Sequence, residues 1–295
     1  MKLSEFYGPE KFGLSFELFP PKSAAKEAEL FSHLDALMRF RPSYVTCTYG
    51  AGGSTQQKTL DIIAEVKRRH GVRVASHLTC VGATREQLRS YLTEAGDRGV
   101  DAIVALRGDP PKGETQFKQT EGGLRYASEL VAMIREEFPR FGMAVAGYPE
   151  VHIEAPNADV DLANLKRKVE SGADVVVTQL FYNNDDFYRF RDRYEAAGIS
   201  VPLVPGILPV TNFAQVKRIT ALCGAKLPQD FIDALTACGD DAESQFKVGV
   251  DFAIRQVEDL IAAKSPGMHF YVLNQSEATC KLLDSLDLPH AVAVG

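Results

Sequence analysis

Side chains able to move protons or hold an anion stand at the ends of short apolar runs in this sequence. The first is Glu17, the lone carboxylate of "GLSFELFPPKS" (13–23), between Phe16, Leu18 and Phe19. An acid desolvated by apolar neighbours has its pKa raised, because the ionised form loses hydration. Such an acid, still protonated near neutral pH, can donate a proton to a leaving nitrogen or oxygen. The plain alternative is an outward-facing Glu17, which is costly unless paired. Further runs end in Thr48 and Tyr49, His77 and Thr79, Arg107 and Asp109, Tyr148, Glu150 and His152, Gln179, and Tyr271 and Asn274. Singly, each has a structural reading: Arg107 and Asp109 as an ion pair, a histidine as a hydrogen-bonded core residue, Tyr148 as a strand cap. Jointly they point to a polar pocket for a large ligand.

The runs that would carry these residues are "GLSFELF" (13–19), "YVTCTYG" (44–50), "VRVASHLTC" (72–80), "DAIVALRG" (101–108), "MAVAGYP" (143–149), "DVVVTQLF" (174–181), "LVPGIL" (203–208) and "MHFYVLN" (268–274). Most are apolar almost throughout, as in parallel strands covered on both faces. Helical periodicity fills the gaps. Leu30, Phe31, Leu34, Leu37 and Met38 share one face within 26–40. Thr84 and Gln87 fit a capping box ahead of Leu88, Leu92 and Ala95. Segments 55–69, 124–138, 158–171, 184–197, 211–222, 228–237, 241–263 and 276–286 read as helices too. Strand and helix in eightfold alternation is the α/β pattern of a (β/α)8 TIM barrel, whose functional residues gather at the C-terminal strand ends. No linker divides residues 1–295, so a single domain is expected. A doubly wound sheet is the runner-up, without its usual support: "GAGGST" (50–55) has Thr55 where a third glycine belongs, and no P-loop motif occurs. The polar insertion 109–123 follows the fourth strand, where a barrel would use it as an active-site loop or lid.

With 295 residues and 45% hydrophobic content, the chain can bury a large core. A net charge of −6 without a Lys/Arg cluster argues against nucleic-acid or membrane partners. The five cysteines, Cys47, Cys80, Cys223, Cys238 and Cys280, are widely spaced and suit reduced thiols in a cytoplasmic protein. His77 and Cys80 share an H-x-x-C spacing, but two ligands fall short of a zinc site, so no metal is expected. No apolar signal core opens the chain and no run of 18 apolar residues appears.

The stretches "SFELFPPKS", "VTCTYGAGG", "SHLTCVGAT", "IVALRGDPP", "AGYPEVHIEA", "ADVDLANLKRKVESGAD", "TQLFYNNDDFYRFRDR", "PGILPVTNF" and "HFYVLNQSEAT" resemble, in order and along nearly the whole chain, the catalytic barrel of methylenetetrahydrofolate reductase. The resemblance implies a barrel binding FAD non-covalently. NADH or NADPH gives hydride to the flavin and leaves; 5,10-methylenetetrahydrofolate then binds and is reduced to 5-methyltetrahydrofolate, which feeds methionine synthesis. Glu17 falls on the family's general acid, and Asp109 on a carboxylate near flavin and folate whose charge opposes charge build-up on reduced flavin. Thr48, Tyr49, Ala51, His77, Arg107, Gly108, Asp109, Tyr126, Ala127, Tyr148, His152, Ala155, Asp161, Asn164, Arg167 and Lys168 match positions that line or contact FAD. The cations Arg107, Arg167 and Lys168 suit its pyrophosphate and ribityl oxygens. Asp161, Asn164 and Lys168 also read, by spacing alone, as one solvated helix face. Gln179, Gln215, Tyr271 and Gln275, with Glu17, Thr48 and Asp109, match substrate positions.

Two positions depart from the family pattern. Gln275 stands where some members carry Arg, and Ile219 where some carry a stacking aromatic. The chain stops at Gly295, so the regulatory domain of eukaryotic members, and feedback by S-adenosylmethionine, are not expected. The resemblance also implies a homo-oligomer. Alternatives are a related barrel reductase fed electrons by a partner subunit and a non-catalytic folate- or flavin-binding barrel. An aldolase-type barrel would want a Schiff-base lysine or metal ligands, which these strand ends lack.

Overall fold

The computed structural model describes residues 1–8, 10–49, 56–110, 113 and 116–288. The apolar runs form β1 (Gly13–Leu18), β2 (Tyr44–Cys47), β3 (Arg73–Thr79), β4 (Ala102–Leu106), β5 (Gly142–Gly147), β6 (Val175–Thr178), β7 (Leu203–Val204), β8 (Gly206–Ile207) and β9 (Gly267–Tyr271). They pair in parallel in the order β7-β6-β5-β4-β3-β2-β1-β9-β8. Since β7 and β8 flank Pro205, the chain itself joins the two edges and the sheet runs round as a nearly closed barrel. The sequence reads 203–208 as one unbroken strand; Pro205 splits it because proline has no N–H for the ladder. Its carbonyl still accepts from His269 N–H at 3.0 Å.

The helices are α1 (Ala24–Met38), α2 (Gln56–His70), α3 (Arg85–Asp97), α4 (Ala127–Glu137), α5 (Ala158–Glu170), α6 (Asn184–Ala196), α7 (Phe213–Cys223), α8 (Gln229–Ala237), α9 (Ala242–Ala262) and α10 (Glu277–Asp284). Side-chain caps start several of them. Ser23, Asn157, Asn183, Asn212 and Asp241 accept from the first turn, and Thr84 with Gln87 forms the expected capping box. The apolar stripe of α1, with Leu30, Phe31, Leu34 and Leu37, is buried against the sheet. Helices α7 to α9 enclose a satellite core with Val210, Val216, Phe231 and Leu235, in which Phe231 and Phe252 stack at 3.9 Å.

Alternation along each strand decides what enters the lumen. From β1, Leu14, Phe16 and Leu18 join the core shared with the helices, which leaves Gly13, Ser15 and Glu17 for the inside. The lower lumen is filled by Tyr44, Ala75, Ala102, Val104, Ala144, Val175 and Val204. Leu3 and Tyr7, from the 3-10 turn Leu3–Phe6 and the residue after it, close the barrel floor. Among the described residues no helix is long and apolar enough to cross a membrane.

Candidate active site

Glu17 lies inside the barrel at the C-terminal end of β1, in register with Thr46 of β2 and Tyr271 of β9. It is 7% exposed. Its Oε2 sits 3.3 Å from His77 Nε2 and 3.6 Å from His269 Nε2. Burial alone raises the proton affinity of a carboxyl, as the sequence suggests. Here the two imidazoles outweigh burial, by charge and hydrogen bonding, and bring the Glu17 pKa down to about 2. The expectation of a carboxyl kept protonated by its apolar neighbours is therefore corrected. Phe16 and Leu18 point to the other side of the sheet, and the lumen offers Glu17 polar partners instead.

The rim above continues from β4. Register aligns His77 with Val104 and Thr79 with Leu106, so Arg107, Gly108 and Asp109 emerge at the same mouth that Glu17 faces. Gly108 has φ 88°, and a Cβ there would stand 2.6 Å from Val81 Cγ1 and 2.9 Å from Thr79 Cβ. Only glycine lets the backbone turn this closely over β3. Arg107 forms a two-pronged pair with Glu154, Nη1 to Oε2 and Nη2 to Oε1 both at 2.6 Å. The ion pair read from the sequence, Arg107 with Asp109, is replaced by this one, and Asp109 is exposed at the rim. His77 and Cys80 face opposite sides of β3. The Cys80 thiol joins the outer core, and burial pushes its pKa up to about 12.

Beyond β5 the chain turns sharply. Val151 has φ 71°, a strained value for a β-branched residue, and its N–H donates to Tyr148 O at 3.2 Å. The turn brings His152 edge-on to Tyr148, ring centres 4.6 Å apart. Burial and the Arg107 charge hold the His152 pKa below its ordinary value. Asp161, buried at the start of α5, accepts from His152 N–H at 3.2 Å, and burial raises its pKa. One face later on α5, Lys168 Nζ donates to Ala146 O at 2.5 Å and lies 5.9 Å from the Tyr148 ring. Desolvation lowers its pKa to about 8 against the pull of Asp161. Asn164 and Arg167 are exposed on the same helix and bond each other. Ala155 N–H donates to His152 O at 2.8 Å within the turn.

The remaining candidates divide. Thr48 follows β2 at the mouth, its N–H donating to Leu18 O at 2.8 Å. The Tyr49 ring turns outward and packs edge-on against Tyr91 of α3, centres 5.2 Å apart. Ala51 lies outside the described residues. Tyr126, half exposed, caps α4, and Ala127 begins it. Tyr271 reaches across the lumen to donate to Thr178 O at 2.7 Å. Gln179 turns its Oε1 onto Leu180 N–H at 2.9 Å. Gln215 sits in the first turn of α7, where its N–H is capped by Asn212 Oδ1, and Gln275 is exposed. Ile219 packs against the satellite core. Glu150 accepts from Lys226 N–H, tying the β5 loop to the end of α7.

Sequence reasoning missed Ser15, Glu154 and His269. Its signal for two of them was available: Ser15 with Glu17, and His269 with Tyr271, are polar residues two apart in apolar strands. It also gave no hint that Thr46 Oγ1 and Thr79 Oγ1 would be buried without a hydrogen-bond partner among the described residues. A cavity of about 490 Å³, lined by Phe187, Arg191, Tyr194 and Ser265 among others, lies between α6 and the starts of β7 and β9, at the other end of the barrel.

The family model for methylenetetrahydrofolate reductase matches residues 2–287. The 5,10-methylenetetrahydrofolate reductase of Escherichia coli (strain K12) is 39% identical over 284 residues, covering 96% of this chain and 93% of that one. The maize protein named methylenetetrahydrofolate reductase (NADH) 1 is 36% identical over 297 residues, covering 97% of this chain and 50% of its own length. Among solved structures, a protein from Clostridium thermocellum that binds two copies of 5-methyl-5,6,7,8-tetrahydrofolic acid superposes with a TM-score of 0.61 at 13% identity, covering 92% of this chain and 94% of that one, a likeness of fold. A barrel whose lumen carboxylate, Arg-Gly-Asp turn and β5 loop share one mouth thus comes with sequence agreement from end to end, and the chain belongs to the methylenetetrahydrofolate reductase family.

Proposed function

We propose that this protein is a flavin-dependent reductase that converts 5,10-methylenetetrahydrofolate to 5-methyltetrahydrofolate, with FAD held non-covalently at the barrel mouth and NADH or NADPH as hydride source. The observation that carries the reading is Glu17, buried in the lumen beneath a rim that bears Arg107, Gly108 and Asp109. Maize and Arabidopsis relatives named for NADH favour a nicotinamide donor, and a neighbour in fold binds 5-methyl-5,6,7,8-tetrahydrofolic acid.

The residues present suit a flavin dinucleotide. Lys168 is an ammonium short of counter-charge, bonded to a backbone carbonyl and lowered in pKa by desolvation; an anionic pyrophosphate would relieve that cost. The Arg107 fork at the rim is held by Glu154 and would have to exchange that partner for a phosphate, and Thr79 Oγ1 is a buried hydroxyl without a partner among the described residues. Gly108 lets the backbone approach a flat ring closely. When bound, FAD supplies the two-electron relay between nicotinamide and folate.

The chain's own residues then have distinct tasks. Opening the folate's five-membered ring requires a proton at the departing nitrogen; Glu17, ionised beside its imidazoles, takes up that proton as bound ligands desolvate it further, and is the group placed to deliver it. Asp109 sets a negative charge at the rim that disfavours further negative charge on a neighbouring ligand. Tyr271, Gln179, Gln215 and Gln275 are the side chains assigned to orienting folate or nicotinamide, and the product would feed methionine synthesis.

The test is an anaerobic titration of the purified protein. Yellow protein should bleach with NADH or NADPH and regain colour with methylenetetrahydrofolate. Colourless protein that takes up no FAD ends this reading, and yellow protein unmoved by either nicotinamide assigns electron delivery to a partner subunit.

A further inference from the structure

We propose that Ser15 and His269 are positioning residues for Glu17: the hydrogen bond from Ser15 turns the His269 imidazole so that Nε2–H faces the carboxylate. The proposal rests on the reading of Glu17 as the proton-delivering group.

Two buried hydrogen bonds lie one above the other in the lumen. The Tyr7 and Tyr44 hydroxyls lie 2.8 Å apart, buried. Tyr44 is the register partner of Ser15 on one side, and His269 is its partner on the other. Ser15 Oγ lies 2.8 Å from His269 Nδ1, and both residues are buried. A neutral imidazole has one donor and one acceptor nitrogen. Were the proton on Nδ1, the bare Nε2 lone pair would face an ionised carboxylate 3.6 Å away. In the neutral imidazole the low-energy arrangement therefore has Ser15 donating to Nδ1 and the ring proton on Nε2. Tyr271 packs edge-on against the His269 ring, centres 5.0 Å apart.

The other groups around Glu17 do not substitute for this donor. His77 approaches from β3 at 3.3 Å and shares the same oxygen, Oε2. Tyr271 commits its hydroxyl to Thr178 O, Cys47 is a buried thiol on the outward face of β2, and Thr46 Oγ1 has no partner among the described residues. Among the described side chains around the carboxylate, only the imidazoles bring N–H. Ser15 thus acts at one remove, through the tautomer it imposes.

The experiment uses the holoenzyme and three variants, Ser15→Ala, His269→Gln and His269→Leu. Imidazole ¹⁵N spectra should show His269 as the Nε2–H tautomer in the wild type and a tautomer mixture in Ser15→Ala. In stopped flow, the pH-independent limit of the folate step, reached where Glu17 is protonated in every protein, should fall about tenfold or more in His269→Leu relative to flavin reduction, while His269→Gln, whose amide keeps a donor near the carboxyl, should recover much of the loss. The fall of the folate step with rising pH should move to higher pH in Ser15→Ala and His269→Leu, because a carboxylate robbed of a donor binds its proton more tightly. An Nδ1–H tautomer in the wild type, or unaltered ratio and pH profile in both variants, overturns the proposal. Ser15→Ala removes one hydroxyl oxygen and keeps the result decisive if a His269 variant fails to fold. Wild-type protein that never turns over methylenetetrahydrofolate would refute the proposed function instead; the tautomer spectrum still decides the network, since it requires no turnover.

Discussion

Asn274 and Phe19, 255 positions apart in the chain, are clamped together by a pair of hydrogen bonds: Phe19 N–H donates to Asn274 Oδ1 at 2.8 Å, and Asn274 Nδ2 donates to Phe19 O at 2.9 Å. Asn274 has φ 58° and Leu273 φ 49°, a left-handed pair that asparagine tolerates well. The clamp joins the segments that follow β9 and β1, which carry Tyr271 and Glu17. Asn274→Ala should cost about 1–2 kcal/mol of stability and raise the KM for methylenetetrahydrofolate more than it lowers flavin content. Thermal unfolding and steady-state kinetics check this; an unchanged Tm with unchanged KM would show the clamp to be idle.

Glu17→Gln should slow the folate step about 10²–10⁴-fold, the usual reach of a general acid, with flavin reduction by nicotinamide far less affected. Stopped-flow absorbance separates the two, and equal rates in mutant and wild type would remove Glu17 from the reaction.

The same carboxylate makes an acid-stability prediction. Its folded pKa, about 2, lies below the ordinary 4.5, so the stabilisation is present above pH 4.5 and is lost as pH falls toward 2. The difference corresponds to about 3 kcal/mol. Between those pH values the wild type should lose more stability than Glu17→Gln, measured by urea unfolding at several pH values. Parallel acid losses in the two proteins would contradict the imidazole pairing.

Lys168→Met should have opposite effects on the flavin-free and flavin-loaded protein. Desolvation holds the Lys168 pKa near about 8, so its ammonium is a burden on the fold below that pH, and stability should rise as pH climbs from 8 toward 10.5. Methionine removes the burden, so the flavin-free variant should melt higher and lose that pH dependence. Its affinity for FAD should fall about tenfold or more for want of a charge-assisted bond. Differential scanning calorimetry and flavin fluorescence titration read the two effects; a variant that melts lower without flavin would show the lysine to be stabilising.

Gly108→Ala forces a Cβ to within 2.6 Å of Val81 Cγ1 in a backbone conformation with φ 88°. The expected cost is about 1–3 kcal/mol, with displacement of Arg107 and Asp109 on either side and weaker flavin binding. A Tm and flavin affinity equal to wild type would mean that the turn relaxes freely.

Much of the architecture is legible in the chain because strand and helix signals are local. Apolar runs of five to seven residues such as 102–106 and 73–79, and the Thr84–Gln87 capping box, depend on neighbours a few positions away and emerge where periodicity places them. Proline at 205 shows the limit: its missing N–H splits the strand, which apolar content alone does not reveal. The position of Glu17 at a strand end followed from the sequence, but its charge state did not. That depends on two histidines from β3 and β9 that approach only when the sheet closes, and on Ser15 turning one of them. Likewise Arg107 finds Glu154, 47 positions on, rather than Asp109 two residues away. Hydrophobic periodicity is a one-dimensional property and sets which elements form. Pairing and proton affinity depend on distances through space and on loss of water, and those exist only once the barrel has folded.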